Sequence, residues 1–173
     1  MKKILVFSLF LFVGISASAQ FVNRGSDPRL RGQSRPQNDK LPEFNPERTI
    51  GLVIYNYERV VKKIGVKKKS DNAKKIKSIF TKFNRSLNDI KRINSFTLKE
   101  MKTTFEATRR EAIKTKDFSG MQAVQKQMAE AFKPIVDAIL KKEEELDASL
   151  KPLLSEKQFR KWLKYKSRVK KKG

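Results

Sequence analysis

The sequence predicts an all-α protein, which we expect to form an elongated bundle of about four helices with a long antiparallel hairpin and to dimerise. Beyond residue 45, apolar residues recur at three- and four-residue steps, which is typical of amphipathic helices. Residues that favour helix ends separate these apolar stripes. One stripe extends over residues 119–150, which as a helix would be about 45–50 Å long. Helices of this length with a single apolar stripe indicate a thin bundle that pairs with a second copy.

The first 44 residues precede the predicted helices and form two segments. Residues 1–19 have a basic start, an apolar run from Ile4 to Ile15 and a small-residue end at Ala17-Ser18-Ala19, which is the layout of a cleavable secretory signal. We expect cleavage after Ala19 and a periplasmic or secreted location. Residues 20–44 contain three prolines, two glycines and no apolar period, so we expect a disordered basic arm. The helical domain is predicted to span residues 45–173.

The first predicted helix begins at Asn45-Pro46, where a capping residue precedes a proline at the first helical position. It ends at Gly65, because glycine readily takes the left-handed conformation at a helix end. Its apolar stripe consists of Ile50, Val53, Ile54, Tyr57, Val60, Val61 and Ile64.

The second predicted helix begins after Ser70 or Asp71, either of which can cap it. Asn94-Ser95 interrupts its stripe, so we expect either a kink there or a break with recapping at Ser95 or Thr97. Its apolar residues are Ile76, Ile79, Phe80, Phe83, Leu87, Ile90 and Ile93, then Leu98, Met101 and Phe105.

A third, long helix follows the turn residues Asp117-Phe118-Ser119-Gly120 and extends from about residue 119 to about residue 150. Pro134 lies inside this stripe and should bend the helix, because proline removes one backbone hydrogen bond and crowds the preceding turn.

The last predicted helix begins at Ser155, where three local signals agree. The Ser155 hydroxyl can cap the first turn, and Gln158 can reach back to the Ser155 amide and close a capping box. Leu154 and Phe159 are spaced as a hydrophobic staple. Trp162 follows on the same helix, where an aromatic side chain more often anchors a helix to its neighbour than stacks on a ligand.

The segment from Leu146 to Lys166 resembles the L-T-x-x-Q motif region of the Spy/CpxP family of periplasmic helical proteins. The motif reads Leu154-Ser155-Glu156-Lys157-Gln158, and its serine keeps the capping oxygen of the usual threonine. An earlier copy of the motif is degenerate, because Lys69-Ser70-Asp71-Asn72-Ala73 lacks both the leucine and the glutamine. The resemblance implies an ATP-independent periplasmic chaperone or envelope-stress protein that holds unfolded clients on a basic, partly apolar face.

Composition excludes several kinds of site. The chain has no cysteine and no histidine, which excludes disulfides, zinc or copper sites built on thiolate or imidazole, and triads with a histidine base. We expect neither enzymatic activity nor a cofactor. Glu143-Glu144-Glu145 and Asp147 could form a carboxylate site, but adjacent acids point to different sides of a helix. We therefore expect a solvated charged face there.

The positive charge carries the functional prediction. The net charge is +23, and removal of residues 1–19 leaves +21 on 154 residues, which exceeds what solubility requires. Arg85, Arg92 and Lys99 recur every seven residues and should form one line along the second helix. With Met101 and Phe105, they are the candidate client-binding residues.

Two functions remain open. The first is a chaperone whose partners are unfolded or acidic proteins and which acts as a homodimer. The second is a basic helical binder of anionic polymers, such as nucleic acid, polysaccharide or lipid headgroups, without chaperone activity. We also expect peripheral contact with an anionic envelope surface. The export signal and the lack of a helix-turn-helix or zinc pattern argue against specific nucleic-acid binding.

Overall fold

The computed structural model describes residues 42–67 and 69–172, and this part of the chain is all helical, without strands. The predicted all-α class is therefore confirmed. The signal peptide predicted at residues 1–19, and the predicted arm as far as residue 41, lie outside the described residues. The helices are α1 (Pro46–Thr49), α2 (Tyr57–Ile64), α3 (Asp71–Ile93), α4 (Ser95–Thr115), α5 (Ser119–Leu150) and α6 (Glu156–Lys172), with a 3₁₀ turn at Lys151–Leu153.

The first predicted helix is in fact two helices, α1 and α2. Gly51 ends α1 with a φ of 71°. Its N–H donates to the Arg48 carbonyl at 3.1 Å, and the N–H of Leu52 donates to the Glu47 carbonyl at 3.0 Å. This pair of bonds is a Schellman motif, which requires a residue that accepts a positive φ. The prediction of one continuous helix was wrong because Gly51 has the same stop role as Gly65.

The outer ends of this helix pair are as predicted. The Asn45 side chain accepts a hydrogen bond from the Arg48 N–H at 3.0 Å, and Gly65 ends α2 with a φ of 77°. Between the two helices, residues 52–56 are irregular, and the Asn56 side chain caps α2.

The irregular segment between α1 and α2 places Tyr55 in the core, where only 2% of its surface is exposed. The Asn84 side chain on α3 accepts from the Tyr55 N–H at 3.1 Å and donates to the Tyr55 carbonyl at 2.8 Å. Backbone polar groups that are removed from water need such partners, so this amide holds the segment against α3.

The second predicted helix is divided at Asn94 into α3 and α4. Ser70 caps α3 as predicted, because its hydroxyl accepts an amide of the first turn at 3.2 Å. The Asn94 side chain donates to the Ile90 carbonyl at 2.7 Å, and this competition with the backbone accounts for the break. The recapping proposed at Ser95 or Thr97 is not found, since the residue preceding α4 is Asn94 and no side chain caps that helix.

The long third helix is confirmed as α5, which is about 48 Å long at 1.5 Å per residue. A three-residue link, in which Lys116 has a φ of 61°, joins α4 to α5. The link is short, so α5 runs back antiparallel along α4 and then α3. Pro134 lies inside α5 with its side chain exposed, and the bend expected there stays a prediction.

An aromatic cluster joins α6 to the rest of the core. Trp162 is fully buried, and its ring lies 5.1 Å from the ring of Tyr55 and 5.4 Å from that of Phe80, both in edge-to-face contact. Such pairs stabilise a core beyond the area that they bury. Trp162 therefore anchors α6, as expected for an aromatic residue on this helix.

The predicted capping box is present at the start of α6. The Ser155 N–H donates to Gln158 Oε1 at 3.0 Å, and the Gln158 N–H donates to Ser155 Oγ at 3.3 Å. The Gln158 side chain also donates to the Gly65 carbonyl at 3.0 Å, so it ties the start of α6 to the end of α2. Leu154 is buried, and Phe159 packs against the core from a half-buried position.

We predict that the double variant Ser155→Ala/Gln158→Ala lowers the free energy of unfolding by about 1–2 kcal/mol, the usual cost of a lost helix cap. Urea denaturation followed by circular dichroism measures the loss. Lys157→Ala, at an exposed position in the same turn, is the matched control and should leave the midpoint unchanged. Equal midpoints for the double variant and the control would contradict the assigned role of the cap.

Candidate functional site

The predicted basic line lies on the surface. Arg85, Arg92 and Lys99 are all exposed, whereas Phe83 and Leu87 on the same stretch are buried. The Arg92 side chain is 76% exposed and forms an ion pair with Asp89 at 3.5 Å. These cations are therefore accessible to a partner.

Met101 and Phe105, the two apolar residues proposed for client binding, are not on this surface. Met101 is only 3% exposed and belongs to the core. Phe105 is half-buried, and its ring lies 4.4 Å from the ring of Phe44. Both follow Leu98 at three- and four-residue steps, so they continue the stripe that faces α5.

Two other apolar side chains lie beside the basic line. Ile93 is 72% exposed and Phe96 is 77% exposed, on either side of the break at Asn94. The sequence assigns Ile93 to the buried stripe, and this assignment was wrong because the stripe shifts at the break. Phe96 is four residues from Arg92 and three from Lys99, a spacing that places the three residues on one side. This spacing could have identified Phe96 from the sequence as a neighbour of the basic line. We define the α3–α4 surface as Arg85, Arg92, Ile93, Phe96 and Lys99.

A second basic surface covers α2 and α6, which pack against each other. Helix α6 contains nine lysines and arginines and one glutamate. The α2–α6 face consists of the exposed residues Arg59, Lys62, Lys63, Lys157, Arg160, Lys161, Lys164 and Arg168. The Lys161 ammonium reaches the end of α2, because a Cβ placed on Gly65 would lie 3.8 Å from its Nζ. This face escapes a search for seven-residue spacing because its charges come from two helices far apart in sequence.

The expected solvated acidic face on α5 is in part a buried charge network. Glu143 is only 4% exposed, and its carboxylate accepts from Lys170 Nζ at 2.7 Å. Asp147 accepts from Trp162 Nε1 and from Lys166 Nζ, each at 2.7 Å. Lys166 Nζ lies 3.6 Å from the Glu143 carboxylate and so bridges the two acids.

The spacing of these residues explains why they meet. Glu143 and Asp147 are four residues apart on α5, and Trp162, Lys166 and Lys170 follow at four-residue steps on α6. Each set therefore lies on one side of its helix. Glu144 and Glu145 point elsewhere and are exposed, as expected. The four-residue spacing on both helices could have identified the network from the sequence.

Tyr55 borders this network. Its hydroxyl is buried and has no hydrogen-bond partner among the described residues. Burial raises the pKa of Tyr55 above its usual range, and the negative charges of Glu143 and Asp147 raise this pKa further. The phenol therefore stays neutral in the folded protein at a pH where an exposed tyrosine ionises.

Two further observations concern the described residues. They contain no group of three or more acidic side chains that could hold a metal ion. None of their helices is both long and apolar enough to cross a membrane.

The chain matches no protein-family model, and comparison with curated proteins and solved structures finds no similar protein. The resemblance to the Spy/CpxP family therefore stays a prediction that rests on the motif residues Leu154–Gln158 and their surroundings.

We predict that Lys166→Met lowers the free energy of unfolding by about 2–3 kcal/mol, because it removes the cation shared by two largely buried carboxylates. Lys164→Met, at an exposed position two residues earlier on α6, is the control and should cost less than about 0.5 kcal/mol. Chemical denaturation compares the two. Equal losses would contradict a structural role for the network.

We predict that Tyr55→Phe removes part of the alkaline destabilisation of the protein. Above a pH of about 10 the unfolded tyrosine ionises while folded Tyr55 stays protonated, so stability falls by up to about 1.4 kcal/mol per pH unit from this group. The phenylalanine variant lacks this loss. At pH 7 the change should cost less than about 1 kcal/mol, because the hydroxyl has no described partner to lose.

Urea midpoints at pH 8 and at pH 11 measure the effect, since the two proteins differ only at residue 55. A variant that loses as much stability as the wild type between these pH values would contradict the raised pKa of Tyr55.

Proposed function

We propose that the protein is a non-enzymatic, ATP-independent binding protein that captures unfolded or acidic proteins outside the cytoplasm. The observation that carries the proposal is the α3–α4 surface, where Ile93 and Phe96 are more than two-thirds exposed beside Arg92 and Lys99. Exposed apolar side chains of this size are costly to leave in water, and their clustering marks an interaction surface.

The chemistry of this surface suits transient capture. An excess of positive charge attracts acidic chains over a distance and accelerates encounter. The two apolar side chains then supply short-range contacts that are too few to hold a client permanently. Release therefore needs no nucleotide.

The proposal includes three further features. The resemblance of Leu154–Gln158 to the Spy/CpxP motif supports a periplasmic chaperone role, and the predicted signal peptide supports export. We also propose an elongated bundle that acts as a homodimer, because α5 is about 48 Å long. A second copy would extend the surface available to a client.

A second candidate function, the binding of an anionic polymer, is favoured by the α2–α6 face. Its exposed cations have few acidic neighbours, and α6 carries only one glutamate. A phosphate-rich or sulfate-rich chain lying on this face would release counterions, so its affinity would fall steeply with added salt.

We predict that replacing Arg85, Arg92 and Lys99 by glutamine slows the capture of an unfolded test protein several-fold at low salt, while part of the aggregation suppression remains. Peripheral charges mainly tune association rates, whereas desolvated apolar contacts govern release. The complementary variant, Ile93→Ser/Phe96→Ser, should associate at the wild-type rate and dissociate faster. Stopped-flow fluorescence measures both rates.

The controls separate the two candidate functions. The control variant replaces three lysines of the α2–α6 face by glutamine: Lys157, Lys161 and Lys164. It loses the same charge and should capture the unfolded protein at the wild-type rate. A labelled oligonucleotide is titrated at two salt concentrations beside the unfolded protein. Tight binding of the oligonucleotide without any capture of unfolded protein would reject the chaperone proposal in favour of the polymer binder.

A further inference from the structure

A short extended segment of the chain is bound against α4. The sequence assigns residues 42–44 to the disordered arm, but Phe44 stacks on Phe105, with ring centroids 4.4 Å apart. The Phe44 N–H donates to Glu106 Oε1 at 3.2 Å, and the Pro42 carbonyl accepts from Arg109 at 2.8 Å.

The residue between them is also held. Glu43 pairs with Lys102, and this bond lowers the pKa of Glu43 and raises that of Lys102. The segment thus uses an aromatic ring, a carboxylate, one backbone donor and one backbone acceptor. We define the α4 peptide site as the residues that contact it: Lys102, Phe105, Glu106 and Arg109.

Some of these contacts involve backbone groups that any extended peptide has. The hydrogen bonds to the backbone groups of residues 42 and 44 do not depend on the peptide sequence. Two side chains of the site select the side chains of the peptide. Lys102 selects an acidic residue, while Phe105 selects an aromatic one, with the Arg109 guanidinium 5.7 Å from the Phe105 ring. Main-chain hydrogen bonds with selective side-chain contacts are a general mode of peptide recognition.

The α4 peptide site offers contacts that residues 42–44 do not use. Arg109 Nε is buried and has no hydrogen-bond partner among the described residues. Next to the segment lies a cleft of about 360 Å³, whose lining includes Leu98, Lys99 and Lys102. A buried donor without a partner carries a free-energy cost that a better-fitting carbonyl or carboxylate would remove. The cleft also connects the site to Lys99 of the α3–α4 surface.

We propose that the α4 peptide site binds extended segments of unfolded proteins in which an acidic residue precedes an aromatic one, and that residues 42–44 occupy it until such a segment displaces them. The inference rests on the proposed function and names the preferred client sequence. An occupant from the same chain competes at a high effective concentration, so it keeps the site closed to weak ligands. Client segments that offer more contacts replace it.

The test uses a fluorescein-labelled peptide with the sequence of residues 38–47 and the full chain. Phe44→Ala weakens the internal occupant, so the variant should bind the peptide about tenfold more tightly than the wild type in fluorescence anisotropy. Adding Phe105→Ala to this variant should abolish the gain. A peptide with alanine at the position of Phe44 should bind neither the wild type nor the Phe44→Ala variant.

Phe118→Ala is the matched control, because Phe118 is a 55% exposed phenylalanine away from the site. It should bind the peptide as the wild type does. Circular dichroism melts verify that each variant is folded. Glu43→Gln, which keeps the ring and removes the ion pair, provides a second route and should raise peptide affinity two- to threefold at low salt.

The outcomes separate this inference from the proposed function. Equal peptide binding by wild type, Phe44→Ala and Phe44→Ala/Phe105→Ala would overturn the α4 peptide site, even if the protein suppresses aggregation. Peptide binding that follows the expected order, without suppression of aggregation, would support the site and reject the chaperone role. If Phe44→Ala fails to fold, an unchanged affinity of Glu43→Gln overturns the inference.

Discussion

The docking of α6 on α5 is the interaction on which the rest of the structure depends. Helix α6 is strongly basic and also contacts the basic helix α2, so charge alone would oppose its position beside α2. The Trp162 indole supplies the apolar anchor, and Glu143 and Asp147 neutralise the two lysines on its inner side. Those carboxylates lie in a setting where an unpaired charge is costly, which makes the pairing specific for one register of α6. The exposed cations of α6 then have a fixed position beside α2.

The features that could be predicted from sequence are those decided by neighbours in the chain. The apolar period identified α3 and α5, and Ser155 with Gln158 correctly marked the start of α6, because a cap bonds within its own turn. Gly51 shows the limit of this reasoning. A glycine within an apolar stripe is compatible with a helix, and the stop at Gly51 is accompanied by the burial of Tyr55, which no local pattern indicates.

The sequence did not predict the contacts of Glu143 and Phe105, because their partners are distant in the chain. Acidic clusters are usually solvated, and that rule holds for Glu144 and Glu145. It fails for Glu143 because the cation that neutralises it, Lys170, belongs to a different helix. Similarly, Phe105 is covered by Phe44, whose segment has no apolar period that would predict packing. Ile93 is exposed because the helix breaks at Asn94. The residues around Asn94 do not show how this break shifts the apolar stripe.

The positions of the α3–α4 surface and the α4 peptide site explain why charge and apolar contact would act in sequence. Lys99 belongs to the former and lines the cleft beside the latter. An acidic, unfolded chain drawn to Arg85 and Arg92 would therefore meet exposed Phe96 first and the occupied site around Phe105 next. The contacts of residues 42–44 would set the threshold for the second step, because only a segment with matching acidic and aromatic residues would gain enough to displace them. Selectivity would then reside in α4, while the rate of encounter would depend on the exposed cations of the α3–α4 surface.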